Sequence, residues 1–209
     1  MDTETLYRQY EERDYALFSA KLTKNHDLPY RGIRIPTLRK LAKGLDEFPF
    51  EIKYHEDVLL RGFWIASRKI PFKDKIALLE SQFPLLSTWD EVDTLASSLK
   101  PKKEELDDFY NFFFPLLEDS RPMVRRLGIV TLMSTRKFFD DKREEMLDAI
   151  VKADSDEYYV SMAVAWALSF FYIDHSDTEK WITSVSPTTR KRTEQKIRDS
   201  RRTKDKPGT

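Results

Sequence analysis

Amphipathic segments of helix length recur along this chain in pairs at nearly constant spacing. The first helix of each pair is predicted to begin near residues 55, 89, 122, 157 and 188, so the intervals are 34, 33, 35 and 31. Such spacing is typical of helix-turn-helix units that stack on one another and bury one continuous core. No convincing stretch alternates with period two, so we expect no strands. The pattern predicts an all-α, HEAT-like helical repeat solenoid with a concave groove, as a single domain over 1–209.

Prolines and small polar clusters indicate where the helices begin and end. Ser87 and Asp90 have the spacing of a capping box, and Pro122 and Pro187 stand where a first helical turn accepts proline. The nearly apolar run Met162–Ile173 is shorter than the roughly 20 residues needed to cross a bilayer, so it predicts a buried helix. The clearest predicted helices span residues 55–69, 72–83, 89–99, 104–117, 122–139, 143–153, 157–172, 178–185 and 188–202.

The composition excludes several kinds of enzyme. The chain has no cysteine, which rules out disulfides, thiolate metal sites and cysteine nucleophiles. His26, His55 and His175 show no metal-ligand spacing, and neither a glycine-rich phosphate loop nor a GxSxG elbow is present. The charged segment Met1–Tyr15 does not resemble a signal peptide. We therefore expect a soluble, cytoplasmic, monomeric protein that uses no metal and no cofactor.

The charge is unevenly distributed although the net charge is zero. Residues 187–209 carry nine Lys and Arg against three Asp and Glu, a local balance of +6, so the rest of the chain sums to −6. This asymmetry places an electropositive end on an acidic body, which favours a nucleic-acid partner. A solvated tail, frayed from about residue 203, is the structural alternative.

Two tryptophans and one carboxylate are the candidate catalytic residues. Trp89 and Asp93 are four residues apart and share a helix face, with Asp93 at the edge of the apolar stripe. Trp166 is surrounded by small residues in the segment Met162–Leu168. Core packing is the structural alternative for both tryptophans, and a boundary position is the alternative for Asp93.

Three arginines, Arg121, Arg125 and Arg126, cluster where the helix from Pro122 begins. A helix amino terminus with arginines suits a phosphate, because the unpaired N–H groups and the helix dipole also favour an anion. The structural alternative is an ordinary solvated basic face. The three arginines are therefore candidate DNA-binding residues.

Four motifs, in this order, resemble those of the AlkD-like DNA alkylation repair proteins. Gly32–Pro36, followed by Leu38–Lys43, resembles the opening motif of that family. Trp89–Asp93 matches its Trp-Asp-x-Val-Asp segment. Arg125–Val130 is similar to its basic-then-apolar helix, and Tyr158–Trp166 to its late tryptophan helix. The likeness covers nearly the whole chain.

The resemblance implies an enzyme that hydrolyses the N-glycosidic bond of cationic N3- or N7-alkylated purines in duplex DNA. The alkylated base is thereby released from its deoxyribose. By that analogy Trp89 and Trp166 line a cleft against the deoxyribose, Asp93 acts on the reacting sugar, and Arg126 grips a phosphate. A cationic base leaves without a general acid, through an oxocarbenium-like transition state. A carboxylate stabilises that cation and positions water, and tryptophan faces add cation–π attraction.

Two departures from the family pattern bear on activity. Met162 and Ser169 stand where the family carries basic residues around the late tryptophan. At the amino end the family has two helices, whereas residues 2–24 contain no Pro or Gly break, and Asp14 is the one suitable cap between two helices. One compressed helix would leave the lesion side of the groove less complete.

Three functions follow from the sequence. The first is an alkylpurine DNA glycosylase that uses Asp93, Trp89 and Trp166. The second is a non-catalytic protein on the same fold that binds damaged, distorted or branched DNA, which Met162 and Ser169 favour. The third is a HEAT-like scaffold for another protein, which the basic carboxyl end disfavours.

Overall fold

The computed structural model describes residues 3–24 and 27–200, and every regular element within those ranges is helical. This confirms the predicted all-α class. The described α-helices are α1 (Thr3–Tyr7), α2 (Arg13–Thr23), α3 (Ile35–Lys43), α4 (His55–Ser67), α5 (Phe72–Glu80), α6 (Trp89–Ser98), α7 (Leu106–Phe113), α8 (Pro122–Thr135), α9 (Arg143–Lys152), α10 (Tyr158–Asp174), α11 (Glu179–Ile182) and α12 (Pro187–Asp199). The predicted frayed end from about residue 203 lies outside the described residues.

The first helices of the predicted pairs begin where the spacing places them. They are α4, α6, α8, α10 and α12, and each starts within one residue of the predicted position. The second helices are shorter than predicted, and in one of them a 3₁₀ segment replaces the last turn. In the segment predicted as 104–117, α7 ends at Phe113 and a 3₁₀ segment follows over Phe114–Glu118. Pro115 explains this change, since it lacks the N–H that would continue the α-helical pattern.

The contacts of the chain divide it into two compact units, Met1–Glu105 and Leu106–Thr209. In the first unit α3 packs against α4, and α4 packs against α6. In the second unit α10 packs against both α8 and α12, and α9 contacts α11. Within each unit, first helices of successive pairs therefore lie against each other, as in a helical repeat fold. The single domain and the concave groove stay predictions.

The amino-terminal segment forms two helices, α1 and α2, so the alternative of one compressed helix is wrong. The cap of α2 is Glu12, not Asp14. Tyr7 is fully buried and fixes α1 in the core of the first unit. Gly32 has φ +78°, and a Cβ atom on it would lie 2.0 Å from the carbonyl oxygen of Glu12. The interruption between α1 and α2 therefore needs no Pro or Gly in that segment, because tertiary contacts fix both helices.

Helix α10 is the buried centre of the second unit. Ala163, Ala165 and Ala167 are fully buried, and their small side chains let neighbouring helices approach closely. This confirms that the run Met162–Ile173 lies in a helix of the protein interior. None of the described helices is both long enough and apolar enough to span a membrane.

Candidate functional site

Trp89 is the first residue of α6 and lines a cavity of ≈ 220 Å³ in the first unit. Tyr15, Phe18 and Leu22 of α2 line the same cavity. Phe18 and Leu22 are 58% and 51% exposed, and Trp89 itself is half-buried. The indole therefore forms part of a cavity wall beside solvent-exposed apolar side chains, and is not enclosed in a core.

The turn that carries Trp89 is fixed by the cap of α6. The predicted pair of Ser87 and Asp90 is wrong by one residue. Thr88 is the cap, with the extended backbone (φ −126°) that a cap requires. The carboxylate of Glu91 accepts hydrogen bonds from the backbone N–H groups of Ser87 (2.7 Å) and Thr88 (2.9 Å). Asp90 is left to accept a hydrogen bond from the Thr88 hydroxyl at 2.6 Å.

A buried histidine joins the start of α4 to this turn. His55 is 2% exposed. Its Nε2 lies 2.9 Å from Oδ2 of Asp90, and its Nδ1 lies 3.0 Å from Oε1 of Glu91. The ring of Tyr30 stacks on the imidazole at 4.3 Å between centroids. This arrangement suits an imidazolium that bridges two carboxylates in the first turn of α6.

Electrostatics within this cluster favour the charged histidine. Burial opposes the charge, but hydrogen bonds to Asp90 and Glu91 and their negative charges outweigh it and raise the pKa of His55 to about 9. Burial also acts to raise the pKa of Asp90, yet the bonds and charge of His55 hold that pKa below its ordinary value. The first turn of α6 is thus tied to α4 by charge-assisted contacts.

The histidine cluster was missed in the sequence, where His55 counted only as one of three scattered histidines. A signal was nevertheless present. His55 and Trp89 begin the first helices of successive pairs, so they hold equivalent positions in adjacent repeats. Residues at equivalent positions in stacked repeats lie close together. The period itself therefore indicates that His55 meets the residues around Trp89.

The opening motif supports the same cavity through a buried carboxylate. Glu56, in the first turn of α4, accepts hydrogen bonds from the backbone N–H groups of Arg31 (3.0 Å), Gly32 (2.7 Å) and Ile33 (3.3 Å). Both Ile33 and Glu56 line the cavity. The positive φ of Gly32 helps these three N–H groups converge on one carboxylate, which gives the glycine of this motif a physical role.

Asp93 lies one turn beyond Trp89 on α6. It is half-buried, between Val92 and the turn carrying Leu95, both of which are buried. The four-residue separation places the carboxyl group on the same side of the helix as the indole of Trp89. The first unit therefore presents a half-buried tryptophan and a half-buried carboxylate on one helix face.

Trp166 lies in the second unit, on α10, and is half-buried. The ring of Phe170 meets it edge-on at 5.9 Å between centroids. The ammonium of Lys196, on α12, lies 5.8 Å from the centroid of the indole. Trp166 is thus accompanied by a cation that comes from a neighbouring helix.

The three candidate arginines make contacts within the second unit. Arg126 is 5% exposed and donates from Nη1 to the carbonyl oxygen of Tyr159 at 2.7 Å. Arg125 donates from Nε to the carbonyl oxygen of Asp119 at 2.9 Å. Arg121 forms a two-point ion pair with the Asp119 carboxylate and lowers the pKa of that group. Arg126 therefore joins α8 to α10, and its phosphate contact stays a prediction.

Ser169, one of the two departures from the family pattern, is 2% exposed and donates from its hydroxyl to the carbonyl oxygen of Trp166 at 2.7 Å. A basic side chain at this position would bury a charge in the centre of the unit, which is costly. The serine is therefore compatible with its surroundings in a way that Lys or Arg is not. Over the described part of the chain, no group of three His, Asp or Glu residues could hold a metal ion.

The fold and these side chains together define an all-α helical-repeat protein with a tryptophan–aspartate turn in one unit and a tryptophan helix in the other. A family model described as DNA alkylation repair enzyme matches residues 4–194, and the chain belongs to that family. Among curated proteins and among solved structures, no match to the chain was found. Family membership supports a role in DNA repair, with DNA as the partner.

Proposed function

We propose that the protein is a DNA glycosylase that hydrolyses the N-glycosidic bond of cationic N3- or N7-alkylated purines in duplex DNA. One observation carries the proposal. In a member of the DNA alkylation repair family, Trp89 and Asp93 lie one turn apart on one face of α6, and Trp89 forms the wall of a cavity. No cofactor enters the reaction.

The carboxylate in this mechanism is Asp93, the residue to which the resemblance to the family gives the reacting sugar. Asp90 and Glu91 face the imidazolium of His55, and Glu91 also caps the helix. Those two carboxylates are committed to holding α6 in place. Asp93 stabilises the oxocarbenium ion that forms as the base departs, and it orients the water that attacks the sugar. The ring of Trp89, one turn away on the same helix face, adds cation–π attraction to the same transition state. Trp166 lies in the second unit, and its part in the reaction stays a prediction.

The charge around the cavity supports a cationic base. Aromatic side chains line it, together with the carboxylates of Glu56 and Asp90 and the imidazole of His55. With the adjacent Glu91, this part of the unit holds three carboxylates against one imidazolium, so negative charge is in excess. A purine that alkylation has made cationic is favoured there over a neutral purine. Because the cationic base is already a good leaving group, the proposed reaction needs no general acid.

The test is release of 7-methylguanine from a plasmid treated with a methylating agent. The full chain is incubated with this plasmid, the free base is quantified, and abasic sites are counted by strand cleavage. Release well above the spontaneous rate without protein is the expected result. A protein that binds the plasmid and releases no base would contradict the proposal.

A non-catalytic DNA-binding protein is the second candidate function. Ser169 favours it, because this position near Trp166 is enclosed and carries no cation. In that case Trp89, Asp93 and Trp166 bind damaged or distorted DNA without breaking a bond. The same assay separates the two functions, since the binder retains methylated DNA and leaves its bases intact.

A further inference from the structure

An open groove of ≈ 710 Å³ lies along α12 in the second unit. Met162 of α10 lines it together with side chains of α12. From α12 the lining includes Thr188, Lys191, Arg192, Gln195 and Lys196. The positions 191, 192, 195 and 196 follow the helical period, so these side chains share one face. Three of them are basic, against the single acid Asp199 in the lining.

Aromatic rings of α10 hold two of these cations. The guanidinium of Arg192 lies 5.0 Å from the ring centroid of Tyr158, which is 56% exposed. Arg192 also donates a hydrogen bond to the Ser161 hydroxyl. The ammonium of Lys196 lies over Trp166. Both cations are therefore positioned by aromatic side chains of α10, one of them Trp166.

The opposite face of α12 anchors the helix to the unit. Thr189 and Thr193 are fully buried, and the Thr193 hydroxyl donates to the carbonyl oxygen of Thr189. The helix is nonetheless strongly polar, with Ile197 as its only aliphatic side chain. A helix of this composition is packed through two threonines and presents its cations on the groove side. Residues 187–199 are thus an ordered helix, which the alternative of a solvated tail does not describe.

We propose that this groove, the α10–α12 groove, binds the phosphodiester backbone of duplex DNA through Lys191, Arg192 and Lys196. The choice of duplex DNA rests on the proposed function. Met162 of α10 lines the groove beside Arg192 and Lys196. Helix α10 itself carries no Lys or Arg, so the cations of this groove come from α12. They act on phosphates, so the contact is independent of base sequence.

The salt dependence of DNA binding tests this site. Fluorescence anisotropy with a labelled, undamaged duplex gives the association constant of the full chain at several salt concentrations. Each phosphate contact contributes about 0.9 to the slope of log K against log[salt]. Lys191→Ala combined with Lys196→Ala should therefore flatten the slope by about 1.8, and lower the affinity at 0.1 M salt by about sixtyfold. Lys191 is exposed and Lys196 is half-buried, so the helix should tolerate both changes.

Lys180→Ala is the matched control. Lys180 lies in the same unit and its ammonium is 3.9 Å from the ring centroid of Trp181, but it does not line the groove. This variant should keep the wild-type slope. An unchanged slope in the double variant, or an equal loss in Lys180→Ala, overturns the proposal. Because the duplex is undamaged, a failure of the glycosylase proposal leaves this result standing. Conversely, the wild-type protein could release base while the double variant keeps the wild-type slope. That result would overturn the DNA-binding role of the α10–α12 groove and leave the glycosylase proposal standing.

Discussion

At the scale of single residues, the contacts that a side chain makes inside its unit bear on the role that it can take. This holds for the carboxylates of α6 and for the arginines of α8. Asp90 and Glu91 contact His55, and Glu91 also caps α6, so both carboxylates have a structural role. The proposed mechanism gives the chemical role to Asp93. Arg126 donates to the carbonyl of Tyr159 in the interior of the second unit. The motifs place these acids and arginines correctly along the sequence. They do not show which of the side chains are buried, because burial depends on how the helices pack.

Asp93→Asn should separate catalysis from binding. The change keeps the shape of the side chain and removes its charge, so it affects an oxocarbenium ion more than intact DNA. We expect base release to slow by about a hundredfold to a thousandfold, with nearly unchanged affinity for the duplex. Single-turnover release of 7-methylguanine measures the rate. Asp74→Asn, an exposed acid in the first turn of α5, is the control. Equal rates in wild type and Asp93→Asn would remove Asp93 from the mechanism.

Arg126→Ala should destabilise the second unit. The guanidinium is buried and donates to a backbone carbonyl, and a hydrogen bond involving a charged group contributes about 1.5–3 kcal/mol. We expect the free energy of unfolding to fall by about that amount, measured by urea denaturation. The salt slope of the same variant tests the phosphate role. A variant as stable as wild type, with a salt slope flattened by about one unit, would contradict the structural role. It would instead support the phosphate contact that the resemblance implies for Arg126.

At the scale of secondary structure, the first helices of the pairs could be predicted closely and the second helices less well. Helices α8 and α12 begin at Pro122 and Pro187, and α4 and α6 begin at capping boxes, so four of the five starts have a local signal. Helix α7 passes into a 3₁₀ segment at Phe114, and the break between α1 and α2 has no proline or glycine. That break depends on Tyr7 in the core and on Gly32 against the carbonyl of Glu12. Such long-range contacts leave no pattern in the segment that they bend.

Gly32→Ala should show how strongly the opening motif holds α2. Alanine at φ +78° costs about 1–2 kcal/mol for the backbone alone, and its Cβ would meet the Glu12 carbonyl at 2.0 Å. We expect a loss of at least about 2 kcal/mol in the free energy of unfolding. Gly44→Ala is the control, since its nearest contact would be an ordinary 3.5 Å. It should be neutral or stabilising by up to about 1 kcal/mol. Equal stability of the two variants would contradict this role for Gly32.

At the scale of the whole molecule, the repeat period predicts the helical fold. The same period holds a signal for the contact of His55 with the turn of Trp89, which the sequence analysis missed. The period does not show that this contact is a buried ion cluster. The chain contains many acids, and only the structure shows that Asp90 and Glu91 contact the buried His55. Likewise the basic carboxyl end could be counted from the sequence, whereas its placement beside Tyr158 and Trp166 depends on how α12 packs on α10. The repeat period and the charge distribution indicate which helices carry candidate functional residues. The packing of those helices determines which side chains come together.

The histidine cluster links the stability of the protein to pH. The folded-state pKa of His55 is about 9, above its ordinary value of 6.5. A raised pKa means that the folded state binds the proton more tightly than the unfolded state. The stabilisation is therefore fully present below pH 6.5, declines between pH 6.5 and 9, and is lost above pH 9. Its size is on the order of 3 kcal/mol.

Thermal unfolding followed by circular dichroism from pH 6 to pH 10 measures this dependence. Wild type should lose stability across that window, and His55→Gln should start lower and change less, because glutamine carries no proton to lose. Lys and Tyr side chains also titrate near the upper end, and Tyr30 stacks directly on His55. Burial raises the pKa of Tyr30 to about 12, so its ionisation falls outside the window. The difference between wild type and His55→Gln isolates the histidine, since all other groups are common to both. If both proteins lost stability in parallel, the imidazolium would not be what joins α4 to the turn of Trp89.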